Sequence, residues 1–217
     1  MSSVLRKSFL KLLVLVAVVL VNLAITKTAS AQAEITHFDL FPNPKVLDCL
    51  RASPYVEPTA KATVIRGKLN DTLFLDLYGI KPGLAFDLFT VQNSNQTANG
   101  DPVAGFQNFG LAWYQSDIEI AKHRPVGHLL IKTILLDQIF GFDPAVGLAP
   151  TNTFNVGFWF NDPKDAGDCV DPSKFTPFNG EHHAGPLAMI SRPDPKTNLG
   201  PLCTNPDDSK TPAVCNP

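Results

Sequence analysis

The stretch TVIRGKLNDTLFLDLYGIKPGLAFDLFTV, residues 63–91, constrains the fold of this chain more than any other. Apolar and polar side chains alternate along Thr72–Tyr78 and again along Ala85–Val91, with the turn formers GIKPGL between them. Laid antiparallel as a hairpin, the two runs put Leu77 opposite Phe86 and Leu75 opposite Leu88, which makes one apolar face. The other face then pairs Phe74 with Phe89 and Asp76 with Asp87. Alternation of period two is the mark of a strand with distinct faces, and a one-residue slip would send every side chain to the wrong side. Asn70-Asp71 marks a second turn, between strands at Lys61–Leu69 and Thr72–Tyr78.

The same pattern of short apolar runs between turn formers continues. Strands are expected at Phe109–Tyr114, His128–Leu136, Phe154–Phe160 and Leu187–Ser191, with Ile35–Phe41 as an edge strand before Pro42. All 19 prolines and all 14 glycines lie beyond residue 33. No segment holds a 3.6-residue apolar period for three turns. The expected fold is therefore all-β: a single antiparallel β-sandwich, Ig-like or jelly-roll-like, of about seven to nine strands with long loops, a barrel being the alternative. Residues 34–192 make the domain, and 193–217 a Pro-, Asn- and Asp-rich irregular tail.

Residues 1–33 read as a cleaved secretory signal. Arg6, Lys7 and Lys11 precede an almost wholly apolar run from Leu12 to Ile25, and small residues then offer cleavage after Ala31 or Ala33. That run is about 14 residues, against roughly 20 for a membrane-spanning helix. The reading implies a periplasmic or secreted protein with no stable membrane insertion after cleavage. All four cysteines lie beyond the signal, an even count that reads as disulfides in an exported chain. Locality favours Cys203–Cys215, which leaves Cys49–Cys169. Loss of the signal leaves 14 basic and 20 acidic side chains. That balance disfavours nucleic acid as a partner.

Four groups of residues carry possible chemistry. Glu181-His182-His183, in the long loop 161–186, offers imidazole and carboxylate ligands for zinc or copper. Asp162, Asp165, Asp168 and Asp171 recur every three residues and offer oxygen ligands for calcium. Asp76 and Asp87, as cross-strand neighbours, would be the carboxylates of a hydrolase. Trp113 and Trp159 lie on strands whose aromatics alternate to both faces, so that some could form an exposed binding surface. The hydrolase, nucleotide-binding and metalloprotease motifs GxSxG, P-loop, GxGxxG and HExxH do not occur in the sequence.

HHAGPL, residues 182–187, resembles the His-x-Gly-Asp-Leu stretch of copper/zinc superoxide dismutases. The likeness fails where it matters: Pro186 stands in place of the metal-site aspartate, and GIKPGLAFDLF lacks the His-x-His pair that follows the corresponding turn. The stretches TVIRGKLNDTLFLDLYGIKPGLAFDLFTVQNS, FGLAWYQSD, FWFNDP and TPFNGEHHAGPL resemble exported bacterial β-sandwich proteins for which no activity is established. That resemblance implies a fold class and an extracytoplasmic place. The function expected from the sequence is a non-catalytic exported binding or structural module, whose partner is a glycan, an envelope component or another protein. The alternative is a metal-binding protein using His182 and His183.

Overall fold

The computed structural model describes residues 34–67, 70–135, 154–171, 185–203 and 205–216. Its centre is one eight-stranded antiparallel sheet made of β1 (Ile35–Pro42), β2 (Thr59–Ile65), β3 (Asp71–Ile80), β4 (Ala85–Val91), β5 (Ala112–Glu119), β6 (Gly127–Leu135), β7 (Asn155–Phe160) and β8 (Leu187–Ser191). The strands lie in the order β5-β4-β7-β8-β1-β2-β3-β6. The sheet curls until its terminal strands, β5 and β6, come into contact. The architecture is thus a single sheet that nearly closes as a barrel, rather than two sheets packed as a sandwich. A strand pair β9 (Pro206–Asp207) and β10 (Val214–Cys215) forms a small separate ladder, so the tail carries structure of its own. No helix among the described residues is long and apolar enough to cross a membrane.

The Asn70-Asp71 turn does join a hairpin: β2 and β3 pair from Thr59↔Tyr78 to Ile65↔Thr72. The hairpin expected across GIKPGL does not form. β3 pairs with β2 and β6, while β4 pairs with β5 and β7, near the opposite end of the sheet order. Yet Leu75, Leu77, Phe86 and Leu88 do share one core, each with no exposed surface. They meet across the barrel interior instead of side by side. Alternation fixes which face of a strand is apolar, and a curled sheet can bring two apolar faces together without a shared ladder. β1 is likewise no edge strand, because it pairs with β2 on one side and β8 on the other.

One end of the barrel is plugged by the short helix α1 (Leu47–Leu50) and a 3-10 turn at Pro163–Ala166. Val46, Leu50 and Ala166 enter the core from these two elements. The Cys49–Cys169 disulfide ties them together, with a Cα–Cα distance of 6.1 Å. Cys203–Cys215, at 5.8 Å, closes the β9–β10 loop. The Arg66 guanidinium makes an ion pair with Asp71, which is 4% exposed, and donates to the Leu202 carbonyl. Asp71 also accepts from the Gly67 N–H at 2.8 Å. This one pair closes the β2–β3 turn and holds the tail against the barrel.

Two stability outcomes follow from these ties. Asp71→Ala removes the carboxylate from a largely buried guanidinium and should cost about 3 kcal/mol in urea denaturation. The double variant Arg66→Met/Asp71→Leu should recover most of that loss, because no charge then remains to be desolvated. Cys49→Ser/Cys169→Ser opens a link spanning 120 residues, against 12 for Cys203–Cys215. The first loss should exceed the second by about 1–2 kcal/mol, since restriction of the unfolded chain grows with loop length.

Candidate functional site

The far end of the barrel, where β4 and β8 finish and β7 begins, is covered by two segments. The loop 92–111 leaves β4 and returns to β5, and the turn 193–200 leaves β8. What places the loop is a chain of aromatic rings on the outer face of the sheet. Tyr114, Phe89, Trp159, Phe109 and Phe106 meet successively in edge-on contacts, with centroids 5.7, 5.5, 5.0 and 4.9 Å apart. Edge-to-face pairs at such distances contribute about 0.5–1.5 kcal/mol each beyond burial. Gly157 makes room for the central ring, for a Cβ there would lie 3.1 Å from Trp159 and 3.2 Å from Ile190. Gly200 presses the other segment against β7, where a Cβ would come within 2.2 Å of the Phe154 carbonyl.

Between these segments lies a cleft of about 390 Å³. Its floor is a polar network that the barrel itself immobilises. Asn155, 2% exposed, donates to the Gln92 carbonyl at 3.2 Å and accepts from the Ser191 hydroxyl at 3.3 Å. Ser191 Oγ also accepts from the Val156 N–H at 3.0 Å, and the Ser191 carbonyl accepts from Ser94 Oγ at 3.0 Å. Gln96, 5% exposed, accepts from Arg192 Nε at 2.9 Å. The Arg192 guanidinium stacks 3.6 Å from the centre of the Phe41 ring. Burial pulls that guanidinium below its ordinary pKa, and Asp101 acts in the opposite sense.

The rim is different: Asn93, Gln107, Asn108 and Asn198 are exposed. Asn93 uses its Nδ2 toward the Asn108 carbonyl, Gln107 its Nε2 toward the Gly105 carbonyl, and Asn108 its Oδ1 toward the Gly110 N–H. Asn93, Gln107 and Asn108 therefore each engage one end of the amide in the loop, and all four residues line the cleft. Phe106, Val103 and Pro193 supply the apolar part of the lining, and among the described residues none that lines the cleft is ionisable. One wall depends on Asp194, which accepts from the backbone N–H and hydroxyl of Thr197 and the N–H of Lys196. Those bonds, the Thr197 N–H first, hold the Asp194 carboxyl below its ordinary range.

A second concavity, of about 520 Å³, lies on the other side of the Pro193–Gly200 wall. It is lined by charges already engaged. Lys196 pairs with Asp208, Asp194 caps its own turn, and Arg192 is held by Gln96 and Phe41.

The residues singled out by sequence are placed as follows. Glu181, His182 and His183 lie outside the described residues. Asp162 caps the 3-10 turn through Lys164 N–H at 2.9 Å, and Asp168 is exposed. Burial, and then the neighbouring Asp162, push the Asp165 carboxyl above its ordinary range, against Lys81 and Lys122. Among the described residues no three His, Cys, Asp or Glu side chains converge as a metal site.

Asp76 and Asp87 are not neighbours, because their strands do not pair. Asp76 is exposed on β3 and bonds His128 Nε2 at 3.0 Å. Asp87 is 1% exposed on β4, lies opposite Asp117 and Trp159, and accepts from Asn161 at 2.9 Å. Trp113 is 46% exposed, whereas Trp159 is 2% exposed and lies under the 92–111 loop. Trp159 therefore provides no free surface.

The cleft itself was missed by sequence reasoning. A signal existed in VQNSNQTANGDPVAGFQNFG, residues 91–110, where amides crowd a loop between two strands.

The floor can be tested through Ser191. Ser191→Ala leaves the Val156 N–H and the Asn155 carbonyl oxygen buried without their partner. It should lower stability by about 1–3 kcal/mol in chemical denaturation. Ser191→Thr or Ser191→Gly should not be equivalent, since only the former keeps a hydroxyl. A search of protein-family models, of curated proteins and of solved structures found no match to this chain.

Proposed function

We propose that this chain is an exported, non-catalytic binding module whose ligand sits in the amide-lined cleft. One observation carries the reading. The cleft combines a floor fixed by internal hydrogen bonds with a rim of exposed amide residues. A site whose supporting groups are already ordered loses little entropy on binding. Its volume lies within the range of roughly 300–1,000 Å³ typical of small-ligand sites. Acid–base catalysis needs a titratable group at the reacting atoms, and the described lining residues carry none; the one hydroxyl among them, Ser94, donates to the Ser191 carbonyl and has no histidine or carboxylate beside it in the lining. Export is supported by the signal-like residues 1–33 and by two disulfides, which form in oxidising compartments.

The test is retention of residues 34–217 on envelope material from the producing cell. The wild-type chain should co-sediment with that material or be eluted from it by a small soluble fraction. The double variant Gln107→Arg/Asn108→Arg lays two long charged chains across the mouth and should lose retention while melting at the wild-type temperature. Undiminished retention of this variant would remove the cleft as the site. Loss of retention on Trp113→Ala instead would move the contact to the exposed edge strand β5.

A further inference from the structure

We infer that the ligand of the cleft is an uncharged carbohydrate, an inference that rests on the binding reading above and assigns its chemical class. Three features of the lining converge on that class. The first is charge. With no ionisable side chain among the described lining residues, these offer no counter-ion to a phosphate, a carboxylate or an ammonium group. Burying such a charge without a partner is strongly unfavourable, so a charged ligand is selected against.

The second feature is the type of polar group. A sugar hydroxyl is both donor and acceptor, and so is a side-chain amide. The rim carries both halves: the loop bonds use the Asn93 and Gln107 amino groups and the Asn108 oxygen, so the Asn93 and Gln107 oxygens can accept and the Asn108 amino group can donate. Rows of hydroxyls on a pyranose ring match such an alternating display without any charge.

The third feature is Phe106. Among the described residues it is the one aromatic ring in the lining, and it packs against Phe109 at 4.9 Å. The C–H faces of a pyranose are apolar and pack against aromatic rings, while the hydroxyl edges reach the amides. A peptide strand would ask for something else: a row of unpaired backbone groups along a sheet edge and apolar pockets at alternate positions. The cleft is walled by a loop and a turn, not by an edge strand.

The experiment is calorimetric titration of residues 34–217 with neutral oligomers of glucose, in both α and β linkages, and of N-acetylglucosamine. Oligouronates serve as the charged control and short extended peptides as the other class. At least one neutral oligomer should bind the wild type, and the oligouronates and peptides should not. Phe106→Ala should weaken that binding about tenfold, as the loss of an anchoring ring does. Phe106→Trp should restore it.

Because Phe106 also packs on Phe109, the exposed-rim variant Asn93→Ala is the companion. It should weaken binding several-fold with an unchanged melting temperature. Failure of every neutral oligomer to bind the wild type overturns the inference. If envelope retention still depends on Gln107 and Asn108, the binding reading survives that failure with a ligand of another class. Preferential binding of the uronates or the peptides overturns the carbohydrate class in the same way. Saccharide binding that is indifferent to Phe106→Ala, Asn93→Ala and the double arginine variant overturns both the class and the site.

Discussion

Burial of β7 on both faces is the constraint on which the rest of the structure depends, because a strand of a one-layer sheet has water on one side unless something else covers it. Its inward residues, Val156, Phe158 and Phe160, fill the barrel. Its outward residue Trp159 cannot be left in water without exposing a large apolar surface. The 92–111 loop answers by carrying Phe106 and Phe109 over the ring, and Tyr114 and Phe89 extend the cover along β5 and β4. The long excursion between β4 and β5 is thus a packed layer, not slack chain. Part of its polar sequence, Gln92, Ser94 and Gln96, is thereby brought to line the cleft.

The cleft is a by-product of that cover. The loop and the 193–200 turn are each held by their own backbone bonds and close-approach glycines, and they leave a gap over Asn155 and Gln96. Buried amides are costly unless satisfied, and here the bonds of Asn155 and Gln96 run to the barrel and to the segments that cover it. The result is a hydrogen-bonded polar floor beneath a rim of exposed amide residues.

Much of the fold was legible in the sequence, residue by residue. The bounds of β4 and β8 were read as they stand, and those of β1, β3, β6 and β7 to within a few residues. Leu75, Leu77, Phe86 and Leu88 were read onto one buried face, which is where they lie. Asp76 and Asp87 show what could not be read. Their supposed contact assumed that consecutive strands pair, and the chain instead places several strands between them. Trp159 shows the second gap: a strand says which way a ring points, but not whether a loop more than forty residues earlier returns to cover it.

By itself the sequence determined the all-β class, the approximate place of most strands (β5, read at Phe109–Tyr114, lies at Ala112–Glu119), the shared apolar face of Leu75, Leu77, Phe86 and Leu88, and the signal-like segment, because these depend on local periodicity and composition. It also allowed both cysteine pairs to be inferred from their spacing. Only the tertiary structure decided strand order, closure of the sheet into a near-barrel and the position of the cleft. Backbone ladders are chemically alike between any two strands, so neighbour choice rests on the sum of distant packing contacts. The amides of residues 91–110 were always visible. What gathered them around a cleft was the aromatic cover on Trp159, which no local pattern encodes.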